Sequence, residues 1–412
     1  MTARRNVLTM LGGATLLAAC PGLAACREPA TRTAAAPPVV PDLLVADTDA
    51  GLVTLRGGQV TGHGAALAAP DARRVYATTP LDGGATALST VEVRTGRELA
   101  RARLAGRWVA RAVSPRGDLV VLSPPPATGS GRTRSAIMIA SQDGARHTLD
   151  LAGNIEPDAM TYDGTGLFVL DWLPATAPDR YRVRLVDFAT GTPRPLLTRA
   201  KVPVPSGAEE EMRGDGRQAV SHPNGRVLYT LYTHQGDHQH TRDILAARPS
   251  GVHAFVHVLH LEERWAYCLD LPDPFGHGPA AGHALALSAD GRRLMVADVT
   301  SGRLAVADTE ALAISTVVRL APGAGPAGMA TIADRCFLAA GASIHVVDLT
   351  AGTVTATWSA GGEVRGLTAS PDGTRLYAGH PDGIAWLDLG TGRRAGSVRV
   401  PGWRPRPPPP PP

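Results

Sequence analysis

Lysine is almost missing from this chain of 412 residues: Lys201 stands alone among 41 basic side chains, the rest being Arg. Aromatic residues make up only 4%, and Cys occurs four times. There is no Gly-x-Ser-x-Gly nucleophile elbow, no Gly-rich phosphate loop ending in Lys-Ser/Thr, no His-Glu-x-x-His helix and no Cys-x-x-Cys pair, which removes the common hydrolase, nucleotide and structural-zinc signatures. Arg without Lys, together with 46 Gly, 35 Pro and abundant Ala, reads as GC-rich codon usage rather than as a nucleic-acid footprint. The charge agrees. Six basic residues (Arg4, Arg5, Arg27, Arg32, Arg404, Arg406) and one acid (Glu28) lie outside residues 39–400, leaving that segment at −1 against +4 for the whole chain. A near-neutral body cannot neutralise a row of phosphates, so nucleic acid is excluded as a partner. With 44% hydrophobic residues the chain folds, as two or three ordinary domains or as one large repeat domain.

The N-terminus carries an address. Arg4-Arg5 precedes a short, interrupted apolar stretch through Ala19, too short for a membrane span, and resembles a twin-arginine signal peptide. Leu-Ala-Ala-Cys follows twice, at 17–20 and 23–26, and resembles a bacterial lipobox. Pro21 after Cys20 hinders a peptidase, which favours Cys26 as the lipidated residue over the alternative, Cys20. The expectation is a signal peptide over 1–26, a flexible tether over 27–41, and a protein exported to the outer face of the cytoplasmic membrane and held there by its lipid. Residues 401–412, ending in six prolines, read as an extended polyproline tail. Cys268 and Cys336 sit in apolar runs of different repeats and read as two separate buried thiols.

Between these ends, over 42–400, one unit recurs. A strand–turn–strand of the type Ser288-Ala-Asp-Gly-Arg-Arg-Leu294 or Ser370-Pro-Asp-Gly-Thr-Arg-Leu376 appears seven times, beginning at Ala69-Pro-Asp-Ala-Arg-Arg-Val-Tyr76. Pro presets φ, Asp or Asn bonds its own backbone, and Gly supplies positive φ. A second turn follows most copies, as in Asp348-Leu-Thr-Ala-Gly352 and Asp388-Leu-Gly-Thr-Gly392. Four short strands, a to d, every ~40–50 residues are the signature of a β-propeller. The fold expected is all-β, a propeller with four antiparallel strands per blade, numbered here from the first turn copy. Leu43–Asp47 and Gly51–Leu55 precede that copy and either close a seven-bladed ring or add an eighth blade; seven is preferred. Units such as Leu287-Ser-Ala-Asp-Gly-Arg-Arg-Leu-Met-Val-Ala-Asp298 resemble the YVTN/TolB-like repeats of secreted β-propeller lipoproteins of high-GC Gram-positive bacteria. That resemblance implies the fold and export, and no particular chemistry.

In an antiparallel blade the a–b and c–d turns share one face of the disc, and the b–c and d–a connections the other. Every long connection (123–135, 171–180, 198–216, 233–251, 270–283) belongs to the second set, on blades 2–5, which marks a loop-bearing binding face. Nine of the 13 His lie between 222 and 283. His234, His238 and His240, joined by His253 or His257 from the following strand, have the donor type and spacing for a divalent transition metal. The reading is a non-catalytic binding or scaffold protein for a cell-envelope protein or peptide, with Arg213, Tyr232, His234, His238, His240 and Asp243 as contact residues. The alternative is a metal-dependent hydrolase or oxidoreductase built on the same His-rich insertion.

Overall fold

The repeated turns close as their chemistry dictates. In blade 5 Ser288 Oγ donates to Asp290 Oδ1 (2.6 Å) and accepts the Arg293 amide (2.9 Å), while Gly291 takes φ 74°, reversing the chain from His283–Leu287 into Arg293–Asp298. In blade 6 Asp348 Oδ1 accepts the amides of Thr350 and Ala351, both at 2.8 Å, and joins Ser343–Asp348 to Thr353–Ser359. A register shift precedes the c–d turn in five blades, for example at Val346/Val347 and Trp386/Leu387. Such bulges add twist to the outer strand, which is what blades splayed around an axis need.

The computed structural model describes residues 40–125, 131–214, 216–249, 251–400 and 404–405. Among these the strands form eight sheets, each with four antiparallel strands at its heart, so the preferred count of seven blades gives way to the alternative of eight. Blade 7 already holds four strands of its own, from Gly366–Ala369 to Arg394–Arg399. The N-terminal strands Leu44–Thr48, Gly51–Arg56 and Gln59–Gly64 therefore build a separate closing blade. Its innermost strand comes from the other end of the chain: Arg404–Pro405 pairs with Asp47 and Ala46, so the ring extends past residue 400. Asp42 reinforces the seam by accepting from Tyr377 Oη and pairing with Arg375 at 3.3 Å. Closing the ring with strands from both ends completes the closing blade at four strands. The signal segment, Cys20, Cys26, most of the tether and residues 406–412 lie outside the described residues.

The core is repeated between neighbouring sheets. Tyr229, Leu231 and Val256 of blade 4 pack on Leu294, Val296 and Ala305 of blade 5, all at most 2% exposed. Each such Leu or Val side chain contributes on the order of 1.5–3 kcal/mol by leaving water. Cys268 and Cys336 are both buried free thiols. No helix among the described residues is long and apolar enough to cross a membrane. Blade 4 departs from the pattern: Leu197–Thr198 adds a fifth, parallel strand outside Trp265–Asp270, and from it the chain enters the long 199–217 connection.

Candidate metal centre

Strand c of blade 3, Arg180–Asp187, places Arg180, Arg182 and Arg184 on one face at the two-residue period of a strand. The acidic run of the 199–217 connection lies against them. Arg180 Nε reaches Glu211 Oε2 at 2.6 Å, Arg182 Nη2 reaches Glu211 Oε1 at 2.5 Å, and Arg184 Nη2 reaches Glu209 Oε2 at 2.6 Å. Alternation along this extended run turns Glu210 the other way, into blade 4. A run that would otherwise be solvated is thus split into two clamped carboxylates and one directed inward.

Glu210 meets two imidazoles and a thiol. His238 and His240 belong to the 233–254 connection, two residues apart in an extended segment that ends in the short helix Thr241–Leu245, and Cys268 is on strand d, Trp265–Asp270. His238 Nε2 and His240 Nδ1 are 3.1 Å apart, and each is within 3.4 Å of Glu210 Oε2. Cys268 Sγ lies 3.0 Å from the same oxygen. One donor atom from each of the four residues falls within 4.8 Å of all the others. A tetrahedral zinc site with bonds of about 2.0–2.3 Å has edges of roughly 3.3–3.7 Å, and the four contacts at 3.0–3.4 Å lie at or just under that range. Phe255 stacks on His238 with ring centroids 4.4 Å apart and meets the edge of His240 at 5.0 Å, which fixes both rings.

The outer nitrogens are held as metal ligands require. His238 Nδ1 donates to the Glu211 carbonyl at 3.0 Å, which turns the lone pair of Nε2 toward the cluster. His240 Nε2 stands 2.7 Å from Asp270 Oδ1, an ion-pair contact outside the angle of a hydrogen bond, and Asp270 Oδ2 takes Arg242 Nη2 at 2.5 Å. Burial works against charge on Glu210, yet the contacts from His238 and His240 outweigh it and hold the carboxyl well below its usual range. Burial likewise opposes a charged His240, but Asp270 and Glu210 raise it to about 9. Burial, and then the Glu210 carboxylate, push the Cys268 thiol well up. Without a metal, then, a protonated His240 balances Glu210 and the Cys268 S–H donates to it. Two imidazole nitrogens and a carboxylate oxygen converging on one point require either that proton or a cation.

The remaining expected site residues are dispersed. His234 is exposed, sits in the left-handed region at φ 61° and contacts Thr233 Oγ1 at 2.8 Å, outside the donor group. His253 is exposed and lies against His277, ring centroids 3.9 Å apart and tilted by 39°. His257 is buried on strand c, where desolvation lowers it to about 4 and keeps it neutral. Tyr232, expected at the contact surface, is 1% exposed and in the core, its ring 5.2 Å from Phe255 and its hydroxyl 2.9 Å from that of Tyr181. Arg213 is exposed, its amide and carbonyl bonded to the Gln235 side chain. Asp243 is half-buried in the first turn of the short helix. Glu210 and Cys268, which complete the cluster, were missed. The only sequence signals were an acid inside a Glu triplet and an isolated Cys 58 residues further on.

No protein-family model matches the chain, and no curated protein matches it in sequence. Solved structures do match in fold. Apo AztD from Citrobacter koseri superposes with a TM-score of 0.53 at 11% identity, covering 88% of this chain and 95% of that one. A second Citrobacter koseri AztD structure gives 0.52 at 12% identity, with the same coverage. The dihydro-heme d1 dehydrogenase NirN, in complex with DHE, gives 0.48 at 15% identity, covering 89% of this chain and 74% of that one. At these identities the likeness is one of fold, that of a β-propeller.

Proposed function

We propose that this chain is a non-catalytic, extracytoplasmic binding protein, lipid-anchored through Cys26, whose blade 4 insertion is pinned by a divalent transition metal and presented to a protein or peptide of the cell envelope. The observation that carries the reading is the closed donor set of Glu210, His238, His240 and Cys268. All four positions are protein side chains, and both imidazoles are only 1% exposed. A catalytic metal keeps a position open for water or substrate, whereas four protein donors describe a holding site. The cavity beside Glu210, walled by Leu196, Val204, Met212 and His257, has a volume of about 70 Å³, room for a few waters and no substrate.

The donors also select the ion. Two nitrogens, one sulfur and one oxygen suit a borderline cation such as Zn²⁺ rather than Ca²⁺ or Mg²⁺, which want all-oxygen shells. A thiolate and a carboxylate cancel a dication, and outside them Arg242 cancels Asp270. A buried site that is neutral as a whole avoids the cost of an unpaired charge. The metal would join three segments, 208–213, 233–254 and strand d, and so fix the loops around the binding face.

The test is elemental analysis of the mature domain purified without chelator, beside a His238→Ala/His240→Ala/Cys268→Ser variant. One equivalent of a transition metal in the parent, lost in the variant, is expected. A parent that stays metal-free after equilibration with Zn²⁺ and dialysis overturns the metal reading. Partner capture from envelope extracts that is unchanged on deletion of 236–249 overturns the assignment of the binding face.

A further inference from the structure

The innermost strands of blades 4–7 form one wall of the central channel, and the cavity against that wall has a volume of about 710 Å³. Its 25 lining residues, from Gln218 to Gly373, include no ionisable side chain, although 19% of the chain is charged. Ala219 is exposed there, and Leu285 and Met329 are half-exposed. Small-molecule sites fall in the range of about 300–1,000 Å³ and are lined mainly by apolar groups with a few convergent polar ones.

The opposite wall supplies the polar group. Strand a of blade 2, Val109–Val113, and strand a of blade 3, Asn154–Met160, carry Arg111, Glu156 and Asp158. A smaller pocket of about 170 Å³ holding Arg111 and Asp158 shares the lining residue Ser221 with the large cavity. The two carboxylates are taken: Glu156 pairs with Arg132 at 3.2 Å, and Asp158 pairs with Arg217. Arg111 is not. Its Nε donates to Ser123 Oγ at 2.8 Å and its Nη2 reaches the Pro124 carbonyl at 3.5 Å, with no carboxylate at ion-pair distance among the described residues. Among the described residues the channel therefore has an uncharged wall spanning four blades and, on strand a of blade 2, an exposed guanidinium with no carboxylate at ion-pair distance.

We propose that this channel binds an elongated amphiphile with a single anionic group, of the class of long-chain carboxylates, its apolar body on the strand-a wall of blades 4–7 and its anion on Arg111. A guanidinium accepts a carboxylate in bidentate fashion, and a wall without charges sets no cost against an alkyl chain. The site is separate from the metal centre, and neither requires the other.

The experiment titrates the full mature chain with a dansyl-labelled undecanoic acid and repeats it with the neutral methyl ester. Saturable, one-to-one binding is expected, displaced by unlabelled palmitate and at least tenfold weaker for the ester. Arg111→Gln should weaken the acid at least tenfold and remove its advantage over the ester. Ala219→Trp, which fills the channel from an exposed position, should abolish binding of both; Ala286→Leu serves in its place if the Trp variant does not fold. Non-saturable uptake overturns the proposal, as does equal affinity across parent and channel variants. Equal affinity for acid and ester in the parent overturns the anionic head.

Discussion

Replacing Glu210 with Gln tests the centre where its parts depend on one another most. In the metal-free protein this carboxylate faces His238 and His240 at 3.3–3.4 Å and accepts the Cys268 S–H, with its side chain 18% exposed. Removing one partner of a buried ion pair costs about 3–5 kcal/mol, and Gln keeps an acceptor for the Thr241 amide, so the lower end applies. Unfolding entropy of about 2.1 cal/mol/K per residue over roughly 360 propeller residues converts about 3 kcal/mol into a fall in Tm of about 4 °C. The Glu210→Gln/His240→Gln double variant should cost less than the two singles added, with a coupling of about 1–3 kcal/mol, because His240 without Glu210 has lost one reason to carry its proton. Zinc gives the second readout. At a thousandfold excess over Kd it should stabilise the parent by about 4 kcal/mol, or about 5 °C, and the Gln variant by far less, since the thiolate alone would face a dication. Differential scanning calorimetry in chelator and in zinc reads both. Additive costs in the double variant, or an equal zinc shift in parent and Glu210→Gln, would refute the coupled arrangement.

Asp270→Asn leaves all four donors in place and alters only the group behind His240, so zinc affinity in a chelator competition should fall about 10–100-fold with stoichiometry unchanged. An unchanged affinity would show that Asp270 serves the Arg242 contact alone. His257, in the wall of the small cavity beside Glu210 but not one of the donors, is the pH probe. Its native pKa is lowered to about 4 while the unfolded chain keeps 6.5, so the unfolded state binds the extra proton between these values and stability is lost as pH falls through that window. The loss is about 3 kcal/mol between pH 6.5 and 4, and flat below, read as the difference between the denaturation profiles of the parent and His257→Leu. Parallel profiles would place the acid sensitivity elsewhere.

The turns were legible because each is a local bargain between Ser, Asp and Gly and their own backbone, and seven near-copies state it redundantly. The eighth blade was legible only as the less preferred alternative, for the opposite reason. Its inner strand is Arg404–Pro405, two residues at the head of a proline run, whose strand character comes from pairing with Ala46 and Asp47 and from no propensity of their own. Donor type and spacing were enough to bring His238 and His240 into the candidate set, together with His234. Nothing local distinguished His234, which differs only in that the chain turns through a left-handed conformation there and sends the ring outward.

Glu210 shows why the rest of the site could not be read. Its neighbours Glu209 and Glu211 are chemically the same residue, and what separates them is a row of arginines on another blade, some 25 to 31 residues away in sequence. The ladder fixes the phase of the run, the phase turns the middle carboxylate inward, and only then do a His pair and a distant Cys become a donor set. The same ladder therefore belongs to the site although none of its arginines is a donor in it. Disrupting the arginines would be expected to scramble the direction of Glu210 while leaving every ligand present, so metal affinity here depends on the register of an extended segment as much as on the residues that bind.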